Sequence, residues 1–428
     1  MIFSILICVA AFAVLVILLR KTKLSFGLPI AYLFGLLLIH IPGALVHSLP
    51  WSRLRHDTFT ATGIMLTAVG ALSFVGGVWI ARRNKVPALQ TESIPRPRFW
   101  MFCLLAGWAA VYLLIPLVRI PSLGAAVEKG AAVWMLGVIL GLRTSLARGS
   151  AKALFWAAAM LIYPVLMLLL GGFLSYGAAT TIICLAPLLI SIRNRWRLAI
   201  GFTFTCILGF NLFLSYFQNR SVIRTAVWGG AEFSSRVDAA SSILRDVRSF
   251  DPRDSRQLGF VDQRLNQNYF VGLAADRLER GRVRYLTGRS VWEGALALVP
   301  RAVWPDKPVY GGSPKIVAEM TGLKLSRTTS FGVGNVMEFF INFGVPGIVV
   351  GFLLLGWAIG RLDLSAAAAE QAGNFSKLFR CFLPAVALIQ PNGSIVELCG
   401  GAAAAWVAAV GWGWAWSEWS SLWRNQTR

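Results

Sequence analysis

Ile2-Phe-Ser-Ile-Leu-Ile-Cys-Val-Ala-Ala-Phe-Ala-Val-Leu-Val-Ile-Leu-Leu19 carries no charge, and Arg20-Lys21-Thr22-Lys23 follows it at once. A hydrocarbon core about 30 Å thick takes close to twenty helical residues to cross, so this run is long enough. No basic region precedes it, as one would before a cleaved signal. It is therefore expected to remain as a first span with the N-terminus outside. Similar runs recur through the 428 residues, which are 56% hydrophobic and 14% charged, with a mean hydropathy of +0.64. A soluble chain of this length would carry far more polar surface, so the apolar excess is expected to face lipid.

Spans are expected near 2–19, 27–47, 60–80, 99–118, 124–142, 153–170, 177–192, 198–216, 337–358, 380–394 and 397–416. That makes an all-α polytopic membrane protein of about eleven transmembrane helices. Its parts are eight spans in 1–216, a long hydrophilic loop over 217–336, and three spans with a tail in 337–428. Alternate short loops collect the basic residues: Arg20, Lys21 and Lys23; Arg82, Arg83 and Lys85; Arg143, Arg148 and Lys152; Arg193, Arg195 and Arg197; Arg361, Lys377 and Arg380. The opposite short loops hold only Arg53, Arg55, Arg119 and Lys129. By the positive-inside rule the first set is cytoplasmic, and so is the C-terminus. The Trp-rich end, Trp406 to Trp423, is expected to form an interfacial belt on that side.

Formal net charge is +22, from 41 Lys+Arg against 19 Asp+Glu. In a membrane protein such charge orients spans, touches the headgroups of membrane lipids, or grips an anionic substrate. No soluble domain is evident that would carry nucleic acid, which is not expected as a partner. The outer loop over 217–336 holds 18 of the basic residues. Long translocated segments escape the positive-inside rule, but so much charge still needs a use. Its first part has helix-like spacing, and after Arg284 it becomes richer in apolar and turn residues, as a membrane-hugging segment would. The six cysteines lie inside apolar runs without CxxC spacing, and only three histidines occur, so no metal site is expected.

Two clusters carry chemistry. In Val299-Pro300-Arg301-Ala302-Val303-Trp304-Pro305-Asp306-Lys307-Pro308, three prolines forbid a continuing helix and hold Arg301 and Lys307 on a stiff path. An Arg fork fits phosphate oxygens and Lys adds a point charge; the other reading is contact with headgroups, or pairing with Asp306 and Glu293. In Gly334-Asn335-Val336-Met337-Glu338-Phe339-Phe340-Ile341-Asn342-Phe343-Gly344, Glu338 and Asn342 share a helix face at the start of the ninth span. A carboxylate there suits a general base for a sugar hydroxyl, or equally a structural salt bridge to a loop Arg. His40, in the second span, reads as a packing residue or a base. Arg119, at the outer end of the fourth, reads as a headgroup or a pyrophosphate contact.

At these two clusters the chain resembles the Wzy-type polysaccharide polymerases, the O-antigen polymerase-like family of oligosaccharide repeat-unit polymerases. The resemblance rests on Pro300, Arg301, Trp304, Pro305, Lys307 and Pro308, then Gly334, Glu338, Asn342, Phe343, Gly344 and Gly347. Where many members carry an Arg-Gly pair at the outer start of a central span, this chain has Leu174-Ser175-Tyr176-Gly177. The resemblance implies a GT-C-like glycosyltransferase of the bacterial inner membrane, independent of metal and cofactor. It would act at the periplasmic face, moving a glycan from undecaprenyl diphosphate onto a lipid-linked repeat unit. Arg289, Arg301, Lys307 and Arg119 would hold the diphosphate and Glu338 or His40 would be the base. Trp292, Trp304 and Asn342 would meet the sugars, and a chain-length regulator would be a protein partner. An O-antigen ligase-like enzyme shares this architecture and donor. A flippase or exporter of lipid-linked sugars would instead show polar faces along several spans and paired broken helices.

Overall fold

The computed structural model describes residues 1–54, 57–83, 96–112, 120, 123–171, 174–192, 194–245, 247, 249–299, 303–304, 306–308, 312–324 and 332–425. Arg119, Arg301, Pro300 and Pro305 fall outside the described residues. Among the described residues there is no strand. The helices run in order α1 (Ile2–Thr22), α2 (Leu28–Leu38), α3 (Ile41–Ser48), α4 (Thr58–Arg83), α5 (Arg96–Tyr112), α6 (Leu123–Gly130), α7 (Val133–Ala147), α8 (Lys152–Gly171) and α9 (Leu174–Ser191). They continue as α10 (Arg195–Trp228), α11 (Phe233–Arg245), α12 (Ser255–Leu265), α13 (Gln267–Glu279), α14 (Arg289–Ala297), α15 (Ser313–Thr321), α16 (Asn335–Gln371), α17 (Phe375–Ala387) and α18 (Ile395–Asn425).

Seven stretches among the described residues are long and apolar enough to cross a membrane: α1, α2–α3, α4, α6–α7, most of α10, α16 and most of α18. Shorter apolar helices lie at Arg98–Val111, Lys152–Leu166 and Gly177–Ser191. The protein is a helical membrane protein. Its outer helices show lipid-facing surface, with Phe3 and Phe204 exposed at 75% and 65%. At its centre α4 packs against α16, where Gly77 lies under the Leu353 carbonyl and Gly356 under that of Phe74. A Cβ at either would collide with backbone. Close approach through small residues is how helices associate in lipid, where burying apolar side chains gives no extra drive.

One end of the bundle gathers the basic helix ends. Arg20 donates to the Leu189 and Ile192 carbonyls. Arg82 reaches Thr22, Leu24 and Asp363, and Arg143 pairs with Glu370 at 3.0 Å. A hollow of 360 Å³ between them is lined by Arg20, Lys23, Arg143 and Glu370. The Trp-rich segment of α18 divides instead of forming a uniform belt. Trp406 and Trp414 are exposed, whereas Trp416 is buried against Phe99 and Phe375.

Two expected spans take another form. In α16 the backbone leaves the helix at Phe343 and Gly344. The Phe339 ring then lies 5.3 Å from that of Phe352, and a Cβ on Gly351 would meet it. Thirteen residues of straight helix span about 20 Å, so the chain doubles back here. Asn335–Asn342 is a short arm folded against the crossing segment, which runs on to residue 371 and not to 358. The span expected at 380–394 is the 13-residue α17, followed by a non-helical link at 388–394. Thirteen residues cover about 20 Å, short of the hydrocarbon thickness.

Candidate functional site

The two interruptions meet. Gly334 N–H donates to Asn392 O at 3.2 Å, and Asn335 N–H to Pro391 O at 3.0 Å. The Asn335 side chain donates to Gly393 O and accepts from Tyr32 Oη at 2.6 Å, tying both to α2. Gly334, at φ 72°, and Gly344, at φ 65°, hold left-handed backbone that a side chain would strain, and between them they set the arm's two ends.

Glu338 lies on this arm, fully buried. Its Oε2 accepts the Ile395 N–H at 2.7 Å, at the first turn of α18, where a helix leaves amides without internal partners. Its Oε1 is buried with no hydrogen-bond partner. Among the described residues no arginine pairs with it, and the loop arginines Arg301 and Arg327 fall outside them. Asn342, one turn on, donates to Ser290 Oγ at 2.8 Å and accepts from Gly288 N–H at 3.0 Å. It thereby docks the N-terminus of α14 beside Glu338. Glu293 and Glu397 are close enough to act on the Glu338 carboxylate.

Arg289 opens α14 but is engaged, 2.8 Å from Glu319 and 4.0 Å from Glu293. Lys307 Nζ donates to Val299 O at 3.0 Å. Trp292 and Trp304 are exposed on the same segment between α13 and α15. Thus Asn342 brings Gly288 and Ser290 at the start of α14 to the Glu338 junction, while the Arg289 and Trp292 side chains of that helix are exposed.

His40 belongs to a neighbouring network. It sits at the break between α2 and α3, and its Nδ1 lies 2.7 Å from Asn268 Oδ1 and 3.1 Å from Thr67 Oγ1. Asn268 Nδ2 donates to the His40 carbonyl, so its Oδ1 accepts from Nδ1–H and the ring's lone pair lies at Nε2. That Nε2 is buried with no hydrogen-bond partner. Gln267 stands between the two networks: its N–H donates to Ile39 O, and a Cβ on Gly334 would lie 2.7 Å from its Oε1. Beyond it, Asn266 joins Thr60 to Asp262, which pairs with His47 at 2.7 Å.

Several of these residues were not singled out from sequence: Tyr32, Ser290, Asn335, the amide run Asn266-Gln267-Asn268 and the link Gln390-Pro391-Asn392-Gly393-Ser394. The signal was there in the two amide-rich runs, since side-chain amides beside apolar helices must find partners.

No curated protein and no solved structure matches the chain. Residues 51–376, well over half of the chain and the stretch that holds Asn268, Arg289, Glu338 and Asn342, match a family described as a domain of unknown function. The chain belongs to that family, DUF8712.

Proposed function

We propose that this protein is a membrane glycosyltransferase that polymerises polysaccharide, moving a glycan from undecaprenyl diphosphate onto a lipid-linked repeat unit at the periplasmic face. In that reading it is an eleven-span protein of the bacterial inner membrane, with its N-terminus outside and its C-terminus in the cytoplasm (about the number of spans that hydropathy expects). The observation that carries the reading is Glu338: a buried carboxylate with one oxygen fixed by Ile395 and the other without a partner. A general base needs a fixed lone pair within reach of a hydroxyl proton, and because this one is buried the junction must open to admit the acceptor. His40 Nε2 offers a second. The lipid diphosphate is a good leaving group, so the remaining need is fixed positive charge, for which Arg289 stands at the N-terminus of α14. Glu319 holds that guanidinium now, and a diphosphate would take its place. The motif shared with the Wzy-type polymerases falls on the arm and its turn, from Gly334 to Gly347, which supports the same assignment.

A second reading, a flippase for lipid-linked sugars, draws on the meeting of two interrupted membrane segments, a feature of transporters. One experiment separates them. A strain lacking the chromosomal copy is complemented with wild type, Glu338→Gln, His40→Asn or Arg301→Ala at matched protein levels. Polymerase predicts single repeats on undecaprenyl diphosphate at the outer face with Glu338→Gln or His40→Asn, and loss of long chains. Repeats stranded on the cytoplasmic face would favour the flippase. Full-length polymer from Glu338→Gln and His40→Asn alike would remove the catalytic reading.

A further inference from the structure

At 34 residues, α10 is about 50 Å long, well beyond the roughly 30 Å of a hydrocarbon core. Its first half is lipid-facing, with Ile200, Phe204 and Ile207 exposed. Its last ten or so residues therefore stand at headgroup level or above. There Arg220 and Arg264, the latter on α12, both lie over the Phe217 ring, with Cζ 5.2 and 4.8 Å from its centroid. Arg224, one turn further, lies 4.9 Å over Trp228. A hollow of 530 Å³ opens beside them, lined by Arg220, Ser221, Arg224, Thr225 and Trp228. The platform beneath is stiff, since Tyr216, Ile223, Val227 and Ile243 form a buried cluster.

Three guanidinium groups on one aromatic platform repel each other. Burial, reinforced by Arg220 and Arg224, brings the Arg264 guanidinium down to about 10. A fold that holds like charges together in this way gains from an anion between them. Guanidinium forks match phosphate oxygens bidentately, and the Ser221 and Thr225 hydroxyls on the hollow's wall add donors.

We propose that Arg220, Arg224 and Arg264 form a binding site for the phosphate group of a membrane lipid, whose tail runs down the apolar face of α10. This site is separate from Arg289 and the Glu338 junction, and it does not rest on the glycosyltransfer reading. Two lipids share the chemistry, a polyprenyl diphosphate and an anionic phospholipid.

The test uses the purified full chain in a neutral detergent. Unfolding temperature and binding are measured with farnesyl diphosphate, inorganic pyrophosphate and phosphatidylglycerol. For wild type, at least one lipid probe should raise the unfolding temperature, less so as salt is added. Arg220→Gln/Arg224→Gln and, separately, Arg264→Gln should each weaken that binding at least tenfold. Without ligand, Arg220→Gln/Arg224→Gln should unfold no earlier than wild type, because a repulsion has been relieved. A response to farnesyl diphosphate and pyrophosphate identifies a diphosphate lipid; a response to phosphatidylglycerol alone identifies the bilayer headgroup. No response of wild type to any probe overturns the site, and so does equal binding by wild type and both variants. If Glu338→Gln leaves polymer intact while these differences persist, the functional reading fails and the lipid site stands.

Discussion

Asp363 and Glu338 are both fully buried on α16, yet they are served very differently. Asp363 accepts from Ser25 Oγ, Phe26 N–H and Leu28 N–H and pairs with Arg82 at 2.5 Å. It closes the α1–α2 connection onto α4 and α16. Glu338 has the Ile395 amide and the Ser290 hydroxyl beside it, and its Oε1 has no hydrogen-bond partner. A buried carboxylate with all its lone pairs occupied is a joint. One with an open lone pair in the same helix is poised for a proton or a ligand, and its fold must carry that cost elsewhere.

The same acid-to-amide change on one helix makes this contrast measurable. Asp363→Asn leaves Arg82 buried without its counter-charge, and should cost about 3–5 kcal/mol in reversible unfolding in detergent. The double variant Arg82→Met/Asp363→Leu should recover most of that loss, since breaking one partner is worse than replacing both. A double variant as unstable as Asp363→Asn would mean that the hydrogen bonds from Ser25 and Phe26, not the ion pair, hold the joint. Asn342→Ala removes the acceptor for Gly288 and the donor to Ser290, and should cost about 1–3 kcal/mol, seen as earlier proteolysis at α14. Glu338→Gln should be the mildest, about 1 kcal/mol or less either way, because the amide keeps an oxygen for the Ile395 N–H and no buried counter-charge is stranded. If Glu338→Gln destabilised as much as Asp363→Asn, Glu338 would be a joint too, and the distinction would collapse.

The sequence made the membrane class plain, because uncharged runs the length of Ile2–Leu19 admit few other fates. The clustering of Arg20, Arg82 and Arg143 at one end also follows from alternating short loops. What hydropathy could not convey was the fold-back at Phe343–Gly344. Asn335–Gln371 is apolar almost throughout, and only Pro346 and its flanking glycines hint at a turn. Ending that span at 358 put Arg361 in a loop and left Asp363 and Glu370, both buried on the same helix, outside the span. The link at 388–394 was likewise absorbed into a span, although a run of Gln, Pro, Asn, Gly and Ser is poor helix material. Glu338 and Asn342 were legible as a shared face. Their partners Ile395, Ser290 and Gly288 were not, since no local pattern specifies contacts across 50 or more residues.

The amides of Gly334 and Asn335 are satisfied by the carbonyls of Asn392 and Pro391, and that of Ile395 by Glu338. Each gap in the helices is thus plugged by the other. Pulling one segment away would strand donors and acceptors on both, at roughly 1–3 kcal/mol for every group left bare. The two gaps can only come apart as one event, like a bolt and its keeper. A single strong contact from an arriving molecule would then either do nothing or release both, which would give this junction a threshold.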